Sequence, residues 1–225
     1  MIKRIINFGY SSTNFLNCYQ TETSLFRAIK LGLIAKVEAL LESGEHINTK
    51  VNGESPLHLA IMVCDLKLVN LLISKGADIT ATNYYNQTCL YLATHRSDAN
   101  WELVEILLNA GADVNKPDFL GRRPLFNAIF YNNEKILKLL INHGADLNVV
   151  DDLGETFLHY AVLYAYDNLN IAKFLLEVGV GDVPNKSGVT ALNIAQSLGR
   201  FKMAALIRGN RIILESNKIS ISNRI

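Results

Sequence analysis

The chain has 225 residues, of which 49% are apolar, and its 22 basic and 21 acidic residues give a formal net charge of +1. This length and apolar content suffice for a substantial buried core, and the near-zero charge provides no global field that would attract nucleic acid or an anionic membrane. Its cysteines, Cys18, Cys64 and Cys89, are odd in number and widely spaced, which argues against a disulfide framework and a cysteine-based zinc site. We therefore expect an intracellular protein, cytoplasmic or nuclear.

Membrane insertion and secretion are not expected either. The sequence contains no apolar run of the roughly 18 to 20 residues that span a bilayer. The N-terminus, MIKRIINFGYSSTNF, has a single pair of apolar residues after its basic residues rather than the longer apolar run of a secretory signal.

After residues 1–20, a six-residue segment recurs with starts 32, 33, 35, 33 and 34 residues apart. Each copy precedes a second apolar segment such as VNLLISKG or VEILLNAG. Because a fixed period of this length is the sequence signature of stacked repeats, we predict six units. The copies are TSLFRA (23–28), SPLHLA (55–60), TCLYLA (88–93), RPLFNA (123–128), TFLHYA (156–161) and TALNIA (190–195).

Each unit is predicted to be a helix, a turn, a second helix and a projecting hairpin. The Thr or Ser that opens most copies is typical of a helix N-cap, because its hydroxyl accepts a backbone N–H. The Leu and Ala at the third and sixth positions then lie on one helix face. The second helix ends at a glycine suited to a left-handed C-cap, and a polar segment with another glycine, as in DFLGRR at 118–123, indicates a tight turn. The closing glycines are Gly44, Gly76, Gly111, Gly144 and Gly179.

The helix start of the T-P-L-H-x-A type, the paired leucines of the second helix and the closing G-A-D-[VL]-N together resemble the ankyrin repeat. The best matches are SPLHLA with GADIT and RPLFNA with GADLN. The resemblance implies an all-α, elongated ankyrin-repeat solenoid that covers over four-fifths of the chain. Its units are placed at about 21–53, 54–86, 87–121, 122–154, 155–188 and 189–208, between an N-terminal extension at 1–20 and a C-terminal tail at 209–225. The first and last units depart from the pattern, and the fifth closes as GVGDVPN.

Two units contain two extra residues between their helices, within THRSDANW of the third unit and VLYAYDNLN of the fifth. We interpret both as lengthened inter-helix turns on the same edge of the stack. Trp101 is expected to shield the start of the second helix of its unit.

The residues that could carry chemistry have structural explanations. His58 and His159 occupy the His position of the repeat motif, where the resemblance implies hydrogen bonds that tie neighbouring hairpins together. Cys64 and Cys89 have no adjacent base and are predicted to be small packing residues. Asp78, Asp113 and Asp146 recur once per unit at the hairpin start. With no phosphate-cradling glycine loop present, we predict no catalytic residue, no metal, no cofactor and no small-molecule substrate.

A protein partner is the expected ligand, because the resemblance implies contacts from the hairpin tips and the ends of the first helices along a concave groove. The chain itself is expected to be a monomer. Exposed aromatic residues rimmed by polar ones are typical of such interfaces. For Phe130, Leu163 and Tyr164, burial at the edge of the core is an equally good interpretation. The predicted contact residues are Met62, Tyr84, Tyr85, Gln87, His95, Arg96, Phe119, Leu120, Arg122, Phe130, Tyr131, Asp152, Leu153, Glu155, Leu163 and Tyr164.

Two alternatives stay open at this point. One is an inhibitor or decoy resembling the NF-κB inhibitors. The other is a targeting or regulatory module for an enzyme, acting through the tail, whose modest basic excess is too weak a signal to predict nucleic-acid binding. The resemblance further implies that Asn115 and Asn148 occupy positions at which an asparaginyl hydroxylase modifies ankyrin repeats.

Overall fold

The structure, a computed structural model, describes residues 23–95, 99–164 and 169–210. The chain divides into two compact parts, Met1–Ala77 and Asp78–Ile225. They are called unit 1 and unit 2 from here on, and the six shorter predicted units are called repeats. The N-terminal extension and most of the tail lie outside the described residues.

Unit 1 contains two helix pairs, and the first helices of the two pairs pack against each other. Thr23 and Ser55 cap these first helices, because their hydroxyl oxygens accept the backbone N–H groups of Phe26 and His58, respectively. Pro56 follows the cap, a position where its missing N–H costs nothing. The helices are α1 (Ser24–Lys30), α2 (Ile34–Glu42), α3 (Pro56–Met62) and α4 (Leu66–Ser74).

Unit 2 repeats this arrangement along its length. Its first helices pack in succession, α5 on α7, α7 on α9 and α9 on α11, so each covers the apolar face of its predecessor. Phe126 of α7 and Phe157 of α9 are both buried at this junction, with ring centroids 4.3 Å apart. The helices are α5 (Cys89–Thr94), α6 (Trp101–Asn109), α7 (Pro124–Phe130), α8 (Glu134–Asn142), α9 (Phe157–Tyr164), α10 (Leu169–Glu177) and α11 (Ala191–Ser197), and residues 201–210 are also helical.

The predicted helix termini are confirmed. Thr88 and Thr190 cap α5 and α11 through their side chains, and the five closing glycines have φ angles between 84° and 97°. The all-α fold of helix-turn-helix units with hairpins is confirmed as well. Among the described residues, no helix is long and apolar enough to cross a membrane.

One packing prediction is wrong. Cys89 is buried, but Cys64 is exposed and has a φ of 57° in the turn between α3 and α4. The corresponding turns contain Gly32, Asn132 and Gly199, with φ angles of 66°, 54° and 67°. The tight turn therefore requires a left-handed residue at this position, and Cys64 serves the backbone rather than the core.

The lengthened turn of the third repeat begins after α5, where His95 follows the last helical residue with a φ of −87°. Residues 96–98 and 165–168 lie outside the described residues, so the conformations of both insertions stay predictions. Asn100 caps α6, and Trp101 is its first residue. The Trp101 ring is half-buried and carries Lys135 over its face, with Nζ 3.4 Å from the ring centroid.

Candidate functional site

The hairpins of unit 2 are built on one recurring acceptor. The side-chain oxygen of an Asn or Asp accepts two backbone N–H groups, two and four residues further along. In the hairpin before α7, Oδ1 of Asp118 accepts from Leu120 at 2.9 Å and from Arg122 at 3.0 Å. Asn83, Asp151 and Asn185 make the equivalent pairs of bonds at 2.9 to 3.0 Å. The tips therefore share one conformation.

Backbone hydrogen bonds join each tip to the next. The N–H of Phe119 donates to the carbonyl of Tyr85, and that of Asp152 donates to the carbonyl of Leu120, both at 3.1 Å. The N–H of Lys186 continues the series to the carbonyl of Leu153, also at 3.1 Å. The tips thus form a continuous edge in which neighbouring loops fix one another.

Large apolar side chains project from this edge into solvent. Tyr84 is 80% exposed and Leu153 58%, and the rings of Tyr85 and Phe119 lie 6.0 Å apart between centroids. Leu120 lies beside them, 36% exposed. We call these five residues the hairpin strip: Tyr84, Tyr85, Phe119, Leu120 and Leu153. Asp152, also predicted as a contact, is exposed next to Leu153.

The expectation for Gln87 is wrong. Its residue is 7% exposed, and its Oε1 accepts a hydrogen bond from the Asn83 amide at 3.1 Å. The Gln87 side chain is enclosed within its own hairpin and has little accessible surface for a partner. Gln87 therefore does not belong with the contact residues.

Behind the strip lies a half-buried floor formed by the first helices and the hairpin bases. Arg122 donates from Nη2 and Nε to Oδ2 of Asp118, at 2.7 and 3.0 Å. In the next repeat, the hydroxyl of Tyr160 donates to Oδ2 of Asp151 at 3.0 Å. Asp118 and Asp151 thus each accept backbone N–H groups with one carboxylate oxygen and a side-chain donor with the other.

The rings of the floor form one contact series. His95 stacks on Tyr91 and meets Tyr131 edge-on, each at 5.7 Å between centroids. Phe130 contacts Tyr131 at 4.9 Å and Tyr164 at 4.5 Å. We call His95, Arg122, Phe130, Tyr131 and Tyr164 the groove floor; each is half-buried.

For the edge aromatic residues, the interpretation as edge of the core holds in part, and contact with a partner stays a prediction. Phe130 covers Tyr164 of the following repeat, yet both residues keep exposed surface, as does Leu163. They seal the stack and present the remainder of their surface to the groove.

Burial dominates the electrostatics of the floor. It lowers the pKa of His95 below its ordinary value, and the charge of Arg122 lowers that pKa further. Burial also raises the pKa values of Tyr131 and Tyr164, with Glu155 and Asp151 raising that of Tyr164 further. Near neutral pH the floor is therefore a neutral aromatic surface around one permanent cation, Arg122.

Glu155, another predicted contact, is half-buried. Its Oε1 accepts from the Asn185 amide at 2.9 Å, and its Oε2 lies 3.7 Å from Nε2 of His159. Of the other predicted contacts, Met62 is half-buried at the end of α3 in unit 1, and Arg96 lies outside the described residues.

The histidine of the repeat motif has the structural role that was expected. Nδ1 of the buried His159 accepts from the Thr156 backbone at 3.1 Å, so Nε2 carries the proton that Val189 O accepts at 3.0 Å. This bond ties α9 to the following hairpin. His58 makes the same local bonds to Ser55 in unit 1, with Nδ1 2.7 Å from the hydroxyl oxygen.

Asn115 also links two repeats. Its amide donates to Gly144 O at 3.0 Å, and its oxygen accepts from Asp146 N at 2.9 Å. Asp113 and Asp146 accept backbone N–H groups two residues on, in agreement with their predicted place at the hairpin start. Within the described residues, no group of three or more His, Cys, Asp or Glu side chains is arranged to hold a metal ion.

Sequence reasoning did not single out Asn83, Asp118, Asp151 and Asn185 as the hairpin acceptors. Their signal was present, because they recur at intervals of 35, 33 and 34 residues, in phase with the helix starts. The pairing of Asp118 with Arg122 had no separate signal, since it depends on the folded loop.

Comparison with known proteins agrees with this architecture. A family model described as ankyrin repeats matches in three copies, over residues 1–83, 82–151 and 125–217. The crystal structure of an ankyrin repeat domain from Acinetobacter baumannii AYE is similar with a TM-score of 0.75 and 23% identity, covering 83% of this chain and 96% of that one. That likeness supports the fold.

Curated relatives are similar over part of the chain. The probable E3 ubiquitin-protein ligase XBOS33 of Oryza sativa subsp. japonica is 34% identical over 113 residues, 49% of this chain and 21% of that protein. Ankyrin repeat and SAM domain-containing protein 6 of Rattus norvegicus is 39% identical over 94 residues, 40% of this chain and 10% of that protein. The matched stretches are thus about a fifth or less of these relatives, and the family model covers nearly the whole chain. The chain belongs to the ankyrin repeat family.

Proposed function

We propose that the chain is a non-enzymatic binding module that holds another protein against the hairpin strip and groove floor of unit 2. Ankyrin repeats generally mediate protein–protein interaction, which gives the class of activity. The observation that carries the proposal is the hairpin strip itself: five large apolar side chains, 36 to 80% exposed, on successive tips that hydrogen bonds hold in place.

Exposed apolar surface costs free energy in water, and a contiguous patch of it marks an interaction site more often than scattered single residues do. The rigidity of the tips adds to the argument, because a preorganised surface loses little conformational entropy on binding. The groove floor extends the surface with aromatic rings and an arginine, residue types enriched at energetic centres of interfaces.

Photo-crosslinking tests the surface directly. The photoreactive residue p-benzoylphenylalanine is introduced in place of Tyr84 and, in a matched control, in place of Phe201, which is 81% exposed on the helix at 201–210. Irradiation in a lysate of the source organism should give a discrete adduct from position 84 alone. Adding Phe119→Ala and Leu153→Ala should abolish it. Equal adducts from both positions would contradict the proposal.

A second candidate is the targeting module of a larger enzyme, which the match to a protein named as an E3 ubiquitin-protein ligase favours. On the alternative that targeting acts through the tail, deletion of residues 211–225 should abolish partner capture. On our proposal, the adduct at position 84 persists after that deletion.

A further inference from the structure

Arg122 is held in one orientation by a buried carboxylate. The Asp118 side chain is fully buried, whereas that of Arg122 is 15% exposed. Two donors of the guanidinium converge on one oxygen of Asp118, and the backbone N–H of Arg122 donates to the other oxygen. The cation is therefore positioned before any partner arrives.

One edge of the guanidinium stays open. A guanidinium carries five N–H donors, and Asp118 takes one from Nε and one from Nη2. Within the described part of the chain, Nη1 of Arg122 donates to no protein group, and it is not among the enclosed polar atoms that lack a partner. Both its donors are left for solvent or a ligand.

Among the described residues, the acids around Arg122 are hydrogen-bonded or enclosed within the fold. Asp118 uses both oxygens in its hairpin, and Asp151 accepts from the Leu153 and Glu155 backbones and from the Tyr160 hydroxyl. One oxygen of Glu155 accepts from Asn185 and the other is enclosed. The charged group that the groove floor offers to a ligand is therefore the guanidinium of Arg122.

The surroundings of Arg122 are aromatic. Its charge contributes to the pKa values of His95, Tyr131 and Tyr164, which places the guanidinium within electrostatic range of all three side chains. Phe130 lies between the two tyrosines. A ligand that reaches Arg122 thus rests its neighbouring groups on partly exposed rings.

We propose that Arg122 anchors an aspartate or glutamate of the bound partner segment, and that apolar residues beside this carboxylate pack on Phe130, Tyr131 and Tyr164. A carboxylate matches the planar donor edge of a guanidinium. A monoanion also fits better than a phosphate dianion, because Asp118 already balances part of the charge. The inference rests on the proposed function and specifies the chemistry of the partner.

The test uses the full-length, isotope-labelled chain and four peptides that differ at one central residue. The probes are Ac-Leu-Phe-Asp-Phe-Leu-NH2 and its Asn, Lys and phosphoserine counterparts. Titration followed by NMR should shift the Arg122 side-chain resonance and the His95 and Tyr131 rings. The Asp peptide should bind about tenfold more tightly than the Asn peptide, as a charge-assisted hydrogen bond requires.

Two variants locate the effect. Arg122→Lys keeps the charge beside Asp118 but removes the planar fork, and it should reduce the preference for Asp over Asn to less than about threefold. Lys116→Gln removes an exposed charge from the same hairpin and should leave the preference unchanged. Thermal denaturation of both variants establishes that each is folded.

Equal affinity for the Asp and Asn peptides, tighter binding of the Lys or phosphoserine peptide, or no shift at Arg122 with any peptide at millimolar concentration would overturn the inference. Crosslinking at position 84 is independent of these results. If the adduct persists while the peptides show no preference for Asp, the anchor fails and the proposed function stands.

Discussion

The backbone N–H of Phe119 donates to the carbonyl of Tyr85 at 3.1 Å, and the two rings lie 6.0 Å apart between centroids. Successive hairpins are thus joined through both main chain and side chain, although 34 residues separate these two in sequence. The stability of the surface proposed to bind a partner therefore depends on the Asn and Asp side chains that accept the backbone N–H groups of the hairpins.

Removing the acceptor of the hairpin before α7 should destabilise unit 2 strongly. Asp118→Ala deletes an oxygen that accepts two backbone N–H groups and leaves Arg122 without its buried counter-ion. Loss of one partner of a buried ion pair costs about 3 to 5 kcal/mol. Urea denaturation followed by circular dichroism measures the loss. Glu177→Ala, which breaks an exposed pair with Lys173, should cost less than about 1 kcal/mol, and similar losses in both variants would refute the role of Asp118.

Asn115 and Asn148 should respond differently to truncation. Asn115→Ala removes two hydrogen bonds between repeats, each worth about 1 kcal/mol net. Among the described residues, the side chain of the exposed Asn148 has no corresponding bonds across repeats, so Asn148→Ala should change the free energy of unfolding by less than about 0.5 kcal/mol. Thermal unfolding midpoints compare the two, and an equal change in both variants would show that the Asn115 bonds do not contribute.

Two buried tyrosines should respond differently to removal of their hydroxyl groups. The Tyr160 hydroxyl donates to Asp151, so Tyr160→Phe should cost about 1.5 to 3 kcal/mol. The Tyr91 hydroxyl is buried near Asp118, Asn127 and Arg122, but no described residue meets it in good hydrogen-bonding geometry. Because a buried hydroxyl without a partner is unfavourable, Tyr91→Phe should be neutral or stabilising. Chemical denaturation distinguishes these outcomes, and a large loss in the Tyr91 variant would show that its hydroxyl is satisfied.

His95 should make stability depend on pH. Its pKa is lowered in the folded state, chiefly by burial and then by Arg122, so the unfolded state binds more protons in the window between that lowered value and about 6.5. Stability therefore rises with pH through this window and falls as the solution is acidified below about 6.5. His95→Gln should flatten this part of the curve, as measured by chemical denaturation at a series of pH values. A curve unchanged by His95→Gln would contradict the prediction.

Two glycines with similar φ angles should differ in how much substitution by alanine destabilises the fold. Both Gly144 and Gly154 have positive φ, so alanine costs about 1 to 2 kcal/mol at either position. A Cβ at Gly144 meets no atom within 4 Å, whereas at Gly154 it would lie 2.7 Å from the Lys186 backbone nitrogen. Gly154→Ala should therefore cost about 1 to 3 kcal/mol more. Denaturation midpoints measure the difference, and equal values would mean that the Lys186 segment shifts freely.

The sequence carries the repeat period, the helix caps and the closing glycines, because each depends on local chemistry. Thr88 can cap α5 whatever its neighbours are. Cys64 is different, since a left-handed residue other than glycine is imposed by the turn rather than preferred by the side chain.

Within the candidate site, the exposed tips were predictable from the repeat phase, while the direction of individual polar side chains was not. Gln87 was expected at the surface, yet Asn83 draws it inward. Asp118 and Arg122 stand four residues apart in a loop, where no helical spacing predicts that they meet, and their pairing follows from the hairpin conformation.

The two oxygens of Asp118 bear on protein engineering. One oxygen shapes the loop and the other holds Arg122 in the groove floor, and Asp151 divides its oxygens in the same way between its loop and Tyr160. A graft that transfers the loop without its floor partner would leave an unpaired acceptor in the recipient. Exchange of binding specificity between such scaffolds therefore requires hairpin and helix to be transplanted together, as one cassette.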